Sequence, residues 1–474
     1  LGKNNKFKKE FLVTQIDNLN FPELLTQVVG AIENLKSSYG EFATHPSMKS
    51  DQAKVSAVLE ELTDRLENNF PYFHPSYAAQ MLKAPHPVAV AAYLATMMLN
   101  PNNHSIDSSP ATTQMERDVL KQIAAMFGYP EEFLGHLTSS GTTANLEALW
   151  IARELQPTKK IAHSADAHYT HARMSEVLGT TNVSIATESD GRMSLDELEK
   201  ELKTGEIGTI VATLGTTGLG AVDPLAEIIE LAKKYGARVH VDTAYGGFFK
   251  LIADNHLAPE TARHFAALKD ADSIVVDPHK HGLQPYGSGA VFFRDISIGK
   301  FYKHDSPYTY FISDDVHFGE IQLECSRAGA SAAAIWATLK VFPLTEQGLG
   351  SALIPTVNAA NNWHKLLLDS DSLMPYQKPE LDILTYLPRV DSLTKLDEIS
   401  HEILVQAGSG SKAQQIHLAT YIVKPEALQA RGFKLNADAK NARILRSVLM
   451  KPEHETWVPA LHNKVQEIAR QLIR

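Results

Sequence analysis

Between residues 110 and 340, short β-rich runs alternate with helical stretches, and no other feature of this 474-residue sequence narrows the possible folds as much. The clearest strands are "TIVATL" (209–214), "ARVHVD" (237–242), "SIVVD" (273–277) and "AVFFR" (290–294). The helix "DPLAEIIELAKKYG" (223–236) separates the first two, with Asp223 expected to cap it, Pro224 to open it and Gly236 to close it. Strands joined through helices in this way form a mostly parallel sheet, so an α/β domain is expected. Ahead of it, "FPELLTQVVGAIENLKSSY" (21–39) and "QAKVSAVLEELTDRLENNF" (52–70) carry apolar residues at i, i+3, i+4 and i+7, the pattern of amphipathic helices. Beyond residue 350 a helix runs to about 369, followed by "DILTYLP" (382–388), "IHLATYIV" (416–423), "ARILRSVLM" (442–450) and a final helix. The expected division is a helical segment over 1–80, a large α/β domain over 81–350 and a small α+β domain over 351–474.

Composition narrows the function classes. The length exceeds what one core usually fills. Hydrophobic residues at 44% and charged residues at 21% are ordinary for a globular protein. A net charge of −10 argues against nucleic acid or an anionic membrane as partner. The longest apolar run, "HPVAVAAYLATMMLN" (86–100), is too short and too broken by proline to span a bilayer. A single cysteine, Cys325, rules out an internal disulfide and fits a reducing compartment. The opening "LGKNNKFKKEFLVTQ" has no apolar core and no small-residue cleavage site, so a cytoplasmic location is expected.

In a parallel α/β sheet the loops after the strands gather at one edge, where ligands bind. Four such loops carry chemistry here. In "TSSGTTANLEALWIAREL" (138–155), Ser139, Ser140, Gly141, Thr142 and Thr143 precede a helix-forming run, placing hydroxyls and bare N–H groups at a helix N-terminus. That suits a phosphate, although plain N-capping uses the same residues. Asp242 in "HVDTAYGGFF" is a carboxylate at the end of a buried run and needs a partner. Lys280 in "VVDPHKHGLQPYGSGAVFFRD" (275–295) poses the same problem with opposite sign. In "SADAHYTHARMSEVLG" (164–179), His168 and His171 stand one helical turn apart with no third ligand nearby, so no metal site is expected.

Together these loops meet the needs of a pyridoxal 5′-phosphate site. The helix end anchors the phosphate. The aspartate keeps the pyridine nitrogen protonated, the lysine amine forms the Schiff base, and an imidazole stacks on the ring.

The motifs "SSGTTANLEAL", "DAHYTHAR", "VATLGTTGLGAVDPL", "HVDTAYGGFF" and "DPHK" also resemble, in order and spacing, those of the group II pyridoxal-phosphate-dependent amino acid decarboxylases, which include the aromatic-L-amino-acid, glutamate and tyrosine enzymes. Upstream, "FPYFHPSYAAQML" and "SSPATTQMERDVLKQIAAMFG" resemble that group's substrate-side segment. The resemblance covers residues 70–340 well and the C-terminal part weakly. It implies a type I aminotransferase-like fold and a homodimer whose active sites lie between subunits.

Carried over residue by residue, the resemblance makes Lys280 the Schiff-base lysine, with His279 beside it near the phosphate or the reacting carbon. Asp242 becomes the partner of the pyridine nitrogen, Ala244 the small residue under the ring, and His168 the stacking imidazole. Ser140, Gly141, Thr142 and Thr217 become cofactor contacts. Arg446, in "LRSVLMKP", becomes the partner of the substrate α-carboxylate. Tyr308 and Tyr310, in "KFYKHDSPYTYFISDD", fall in a loop that carries the tyrosine returning a proton to Cα, with Tyr308 slightly preferred.

Two features depart from the aromatic-type pattern. Asp277 stands where those enzymes usually carry Asn, and a second anion repels a phosphate, so Asp277 is expected to turn away or to pair with His281 or another cation. The glycine-rich "HKHGLQPYGSG" is similar to the turn of aldolase-type lyases such as sphingosine-phosphate lyase, which leaves that reaction as an alternative. For the substrate, Tyr72, Phe73, Tyr77 and "APHPVAV" can line an aromatic-accepting pocket, although packing uses the same residues. The expected substrate is an aromatic L-amino acid, with glutamate or aspartate as the alternative.

Overall fold

The computed structural model describes residues 19–303 and 322–473 of the chain; Tyr308 and Tyr310 lie outside them. Two amphipathic helices, α1 (Phe21–Ser37) and α2 (Gln52–Leu66), lead in, followed by α3 (Pro87–Met97) and α4 (Pro110–Phe127). The main sheet then alternates with helices: β1 (Leu134–Thr138), α5 (Gly141–Leu155), β2 (Lys160–Ser164), α6 (Thr170–Val177) and β3 (Asn182–Ile185). It continues with α7 (Leu195–Leu202), β4 (Ile207–Thr213), α8 (Leu225–Tyr235), β5 (Arg238–Asp242), β6 (Ser273–Val276) and β7 (Gly289–Phe293).

These seven strands are ordered β1-β7-β6-β5-β4-β2-β3. The pairs β2–β3, β2–β4, β4–β5 and β5–β6 are parallel, while β7 runs antiparallel to both β1 and β6. One strand is therefore reversed, and the C-terminal ends of the other six share an edge. The β4 run is buried at every position, as a strand covered on both faces must be. Ile210, Val241, Ile274, Val275, Val291 and Phe292 are all sealed from solvent. Each such side chain contributes roughly 1.5–3 kcal/mol by leaving water.

A second sheet follows, made of β8 (Leu373–Pro375), β9 (Ile383–Pro388), β10 (Ala419–Val423) and β11 (Ala442–Val448). It is antiparallel throughout, in the order β10-β11-β9-β8. Its core gathers Trp363, Tyr386, Leu445 and Leu461 with Ala78 from the segment before α3. That segment is joined to the small sheet by main-chain bonds from Ala78 N to His417 O and from Val448 N to Ala78 O, each 2.9 Å.

The helix 225–235 ends as expected, with Gly236 in the left-handed region at φ 71°. Its start differs. Asp223 does not cap α8; it accepts from the N–H groups of Met193 (2.7 Å) and Thr213 (2.8 Å). Thr213 ends β4 and Met193 precedes α7, so the carboxylate serves the sheet edge rather than its own helix. Burial pushes this carboxyl up to about 7. Among the described residues, no helix is long and apolar enough to cross a membrane.

Candidate active site

The loops after β1, β2, β4, β5 and β6 meet at the shared edge, where Asp242 is the organising group. Its Oδ1 accepts from Ala244 N at 3.0 Å, and its Oδ2 accepts from His171 Nε2 at 2.8 Å and Asn145 Nδ2 at 3.3 Å. Behind Asn145, His240 Nε2 lies 2.8 Å from Asn145 Oδ1 and its Nδ1 lies 2.9 Å from Ser273 Oγ. His240 and Asp242 share a face of β5 because strand side chains alternate. Burial alone would raise the Asp242 carboxyl. The His171 hydrogen bond and charge, the Ala244 N–H and Lys280 outweigh it and hold the group well below the ordinary carboxylate range. Asp242 is thus a fixed, ionised acceptor under the sheet edge.

Lys280 follows β6. Its Nζ lies 3.1 Å from Asp277 Oδ2 and its side chain keeps 19% of its surface exposed, so the amine is not sealed in the core. Asp277 has not turned away, and its cation is Lys280 rather than His281. His281 instead packs between Tyr245 and Phe249, with Nε2 3.2 Å from Asp382 Oδ2. His279 rests on Tyr286, ring centroids 4.4 Å apart, and its Nδ1 hydrogen-bonds Ser288 O. Two residues after His281, Leu283 sits in the left-handed region at φ 63°, a strained conformation at a loop the site depends on.

The start of α5 fits an anion. Ser140 caps the helix, accepting from Thr143 N at 3.3 Å, which leaves the N–H groups of Gly141 and Thr142 without intrahelical acceptors. A Cβ on Gly141 would fall 2.6 Å from Asp277 Oδ2, so only glycine fits there. Two acids border this cradle: Asp277, whose Oδ1 is buried without a hydrogen-bond partner, and Glu324, whose Oε2 accepts from Ser139 N at 2.8 Å.

His168 opens the turn into α6, with Nδ1 2.6 Å from Thr170 Oγ1; burial lowers its imidazole, and Asp242, Lys280, His171 and Asp277 all act on it. Arg446, on β11, is buried and donates to Gly218 O (3.0 Å), Ala79 O (3.2 Å) and Thr217 O. Tyr77 lies in the 75–83 segment, its ring 5.1 Å from that of Tyr72. The burial-raised phenol of Tyr286, at about 12, is also acted on by Asp277, Tyr77 and Tyr72.

The edge therefore offers an ionised buried carboxylate, a lysine not sealed in the core and a helix start with free donors. Residues 41–368 match the family model described as the pyridoxal-dependent decarboxylase conserved domain. The chain belongs to the pyridoxal-dependent decarboxylase family. Pyridoxal phosphate is its cofactor, and decarboxylation of an amino acid is its reaction. It is 25% identical over 473 residues to the L-tyrosine decarboxylase of Levilactobacillus brevis, covering 76% of this chain and 75% of that one. It is 28% identical over 425 residues to the L-aspartate decarboxylase of Thermococcus kodakarensis, covering 89% of this chain and 98% of that one. Its fold resembles that of Oryza sativa TDC with PLP and tryptamine, with a TM-score of 0.78 and 17% identity over 97% of this chain and 99% of that one.

The decarboxylase site contains groups that sequence reasoning did not assign. His171 is the hydrogen-bond partner of Asp242, whereas the sequence showed it only as one of two histidines a turn apart with no third ligand. Its placement one turn from His168 at a helix start was the available signal. Asn145 lay in a quoted motif without a role, and His240 stands two residues before Asp242 on the same strand face.

Proposed function

We propose that this enzyme decarboxylates an aromatic L-amino acid of the tyrosine or DOPA type, releasing the amine and CO2. The observation that supports this most is the aromatic wall beside the lysine loop. Tyr72, Tyr77 and Phe70 pack edge to edge with centroids 5.1–6.4 Å apart, and Tyr286 borders them over His279. Such rings offer faces and edges to an aromatic guest. A substrate panel of L-tyrosine, L-DOPA, L-glutamate and L-aspartate, followed by CO2 release, tests the reading. Turnover confined to the acidic pair overturns it.

In this reading Lys280 holds the cofactor aldehyde, and Ser140, Gly141, Thr142 and Thr217 hold the phosphate end. When bound, pyridoxal phosphate supplies the conjugated ring that withdraws the electron pair left at Cα as CO2 departs. Asp242, kept ionised, would hold a proton on the ring nitrogen of the bound cofactor. Ala244 and His168 would hold the cofactor ring, Ala244 as a small residue and His168 as a stacking imidazole. Arg446 orients the α-carboxylate, which leaves as CO2 and empties that polar pocket. Tyr308, Tyr310 or the Lys280/His279 pair then returns a proton to Cα.

A second reading, an acidic substrate, rests on two cations: Lys451, whose Nζ bonds Tyr77 O, and Lys83, whose charge acts on Lys451. The Thermococcus relative acts on aspartate.

We also propose a homodimer in the cytoplasm, with domains divided near residues 80 and 350. No residue of α1 or α2 is buried, and Val55, Val58, Leu59, Leu62 and Leu66 form one stripe 39–56% exposed along α2. An apolar stripe of this kind needs cover, and a second copy supplies it.

A further inference from the structure

Besides its main-chain bonds and the buried Ala78, segment 75–83 is held to the small sheet by basic side chains. Lys451 Nζ donates to Tyr77 O at 2.6 Å and to Leu82 O at 3.3 Å, and stands 5.2 Å from the centroid of the Tyr77 ring. Lys83 Nζ returns the contact to Met450 O at 3.4 Å. Arg446 holds Ala79 O, and His454 Nε2 lies 3.1 Å from Pro75 O. On its other side, the segment meets the lysine loop through Tyr286 Oη to Met81 O (3.3 Å) and His86 N to Leu283 O (3.0 Å). It therefore acts as a crossbeam from the small sheet to the loop that carries Lys280.

Lys451 is only 3% exposed, and its hydrogen-bond acceptors are main-chain carbonyls at both ends of one turn. Burying an ammonium on neutral acceptors is costly, and an apolar residue would pack the same volume at no such cost. What the amine adds is closure of the 77–82 turn, which aims the Tyr77 ring.

We propose that Lys451, assisted by Lys83, is a positioning residue that sets the affinity for substrate by closing this turn. The inference rests on the reading that Tyr77 lines the substrate pocket.

The clasp is also a point of pH sensitivity. Burial, with the charge of Lys83, pushes the Lys451 amine down to about 7 against the opposing pull of Glu453. Burial pushes Lys83 down to about 8, with Asp382 and Glu453 opposing. The other groups facing Lys451 are the Tyr77 phenol and the imidazoles of His74 and His454, both of which burial lowers. As Lys451 loses its charge, its bonds to the carbonyls lose their charge assistance. KM should therefore rise with pH through about 7.

The test is steady-state kinetics of the holoenzyme on L-tyrosine from pH 6 to 9, for the wild type, Lys451→Met, Lys451→Arg and Tyr77→Ala. Lys451→Met is expected to raise KM at pH 6 by about 10-fold, to leave kcat and the visible absorbance of the bound cofactor nearly unchanged, and to abolish the rise of KM with pH. Lys451→Arg should restore a low KM. A wild-type KM and pH profile in Lys451→Met, with a raised KM in Tyr77→Ala, overturns the clasp and leaves the pocket reading intact. Unchanged KM in both variants overturns both. Hydrogen exchange over residues 75–86 at fixed pH needs no substrate: it should be faster in Lys451→Met, and equal rates overturn the clasp. If Lys451→Met does not fold, Lys83→Met takes its place with the same expected directions.

Discussion

The cofactor end and the substrate side of this site are built in opposite ways. At the cofactor end, Asp242, Lys280 and the Ser140–Thr142 turn each sit directly after a strand or at the start of a helix, so the sheet places them. Asp242 is buried among donors that keep it charged. On the substrate side, Tyr77 lies in a segment of turns that is also held by Arg446, Lys451 and His454, residues 367 to 379 positions away in the chain. The first region owes its geometry to the fold as a whole. The second adds to its main-chain anchors at Ala78 a few individual side chains, and single substitutions there should shift it without disturbing the chemistry.

The sharpest separation of the two should come from Lys280→Ala. It removes the covalent anchor and is expected to lower kcat by about 10⁴-fold, with cofactor no longer retained through desalting. Retained turnover would place the anchor elsewhere. Asp242→Asn keeps the shape but removes the fixed charge, and kcat should fall by about 10²–10³-fold with KM little changed. His171→Ala, acting one contact further out, should cost about 10–100-fold. Equal losses in KM and kcat would mean that this network only holds the fold together. Gly141→Ala probes the cradle alone: its Cβ meets Asp277, so cofactor affinity measured by titration into the apoenzyme should drop while the melting temperature changes little. Unchanged affinity would move the phosphate off α5.

The smallest effect concerns stability on the substrate side. Lys451 titrates at about 7 in the folded chain, against 10.5 for an ordinary lysine. Between those values the unfolded chain holds more protons, so this residue makes stability rise with pH across that window, by at most about 1.4 kcal/mol per pH unit. Below pH 7 both states hold the proton and the contribution is flat. Lys451→Met should flatten the window in denaturant melts; an unchanged slope would show that the amine is not held low.

The same contrast governs how much was legible in the sequence. A charge that ends a buried apolar run has few harmless explanations, so Asp242 and Lys280 stood out, and strand–helix alternation announced a mostly parallel sheet, though not its seven-strand order. Partners joined across the fold carry no local signal. His171 could be seen as a histidine but not as the donor to Asp242. His281, one residue from Lys280, looked like a possible partner for Asp277, yet it points into an apolar niche against Asp382 of the small sheet, where Tyr245 Oη also donates at 2.6 Å. Asp223 matched the helix-cap pattern, but the N–H groups of Thr213 and Met193 lie nearer to it. The lysine clasp depends on two residues whose only sequence property is charge.

Three largely buried lysines, Lys280, Lys83 and Lys451, thus divide between the two regions, and burial lowers the amines of the latter two. Borohydride reduction of the holoenzyme, which fixes the cofactor to the lysine that carries it, followed by peptide mass spectrometry, tests this division most directly. The expected result is a pyridoxyl group on Lys280 alone, with Lys83 and Lys451 unlabelled. Label on either clasp lysine, with Lys280 unmodified, would contradict it.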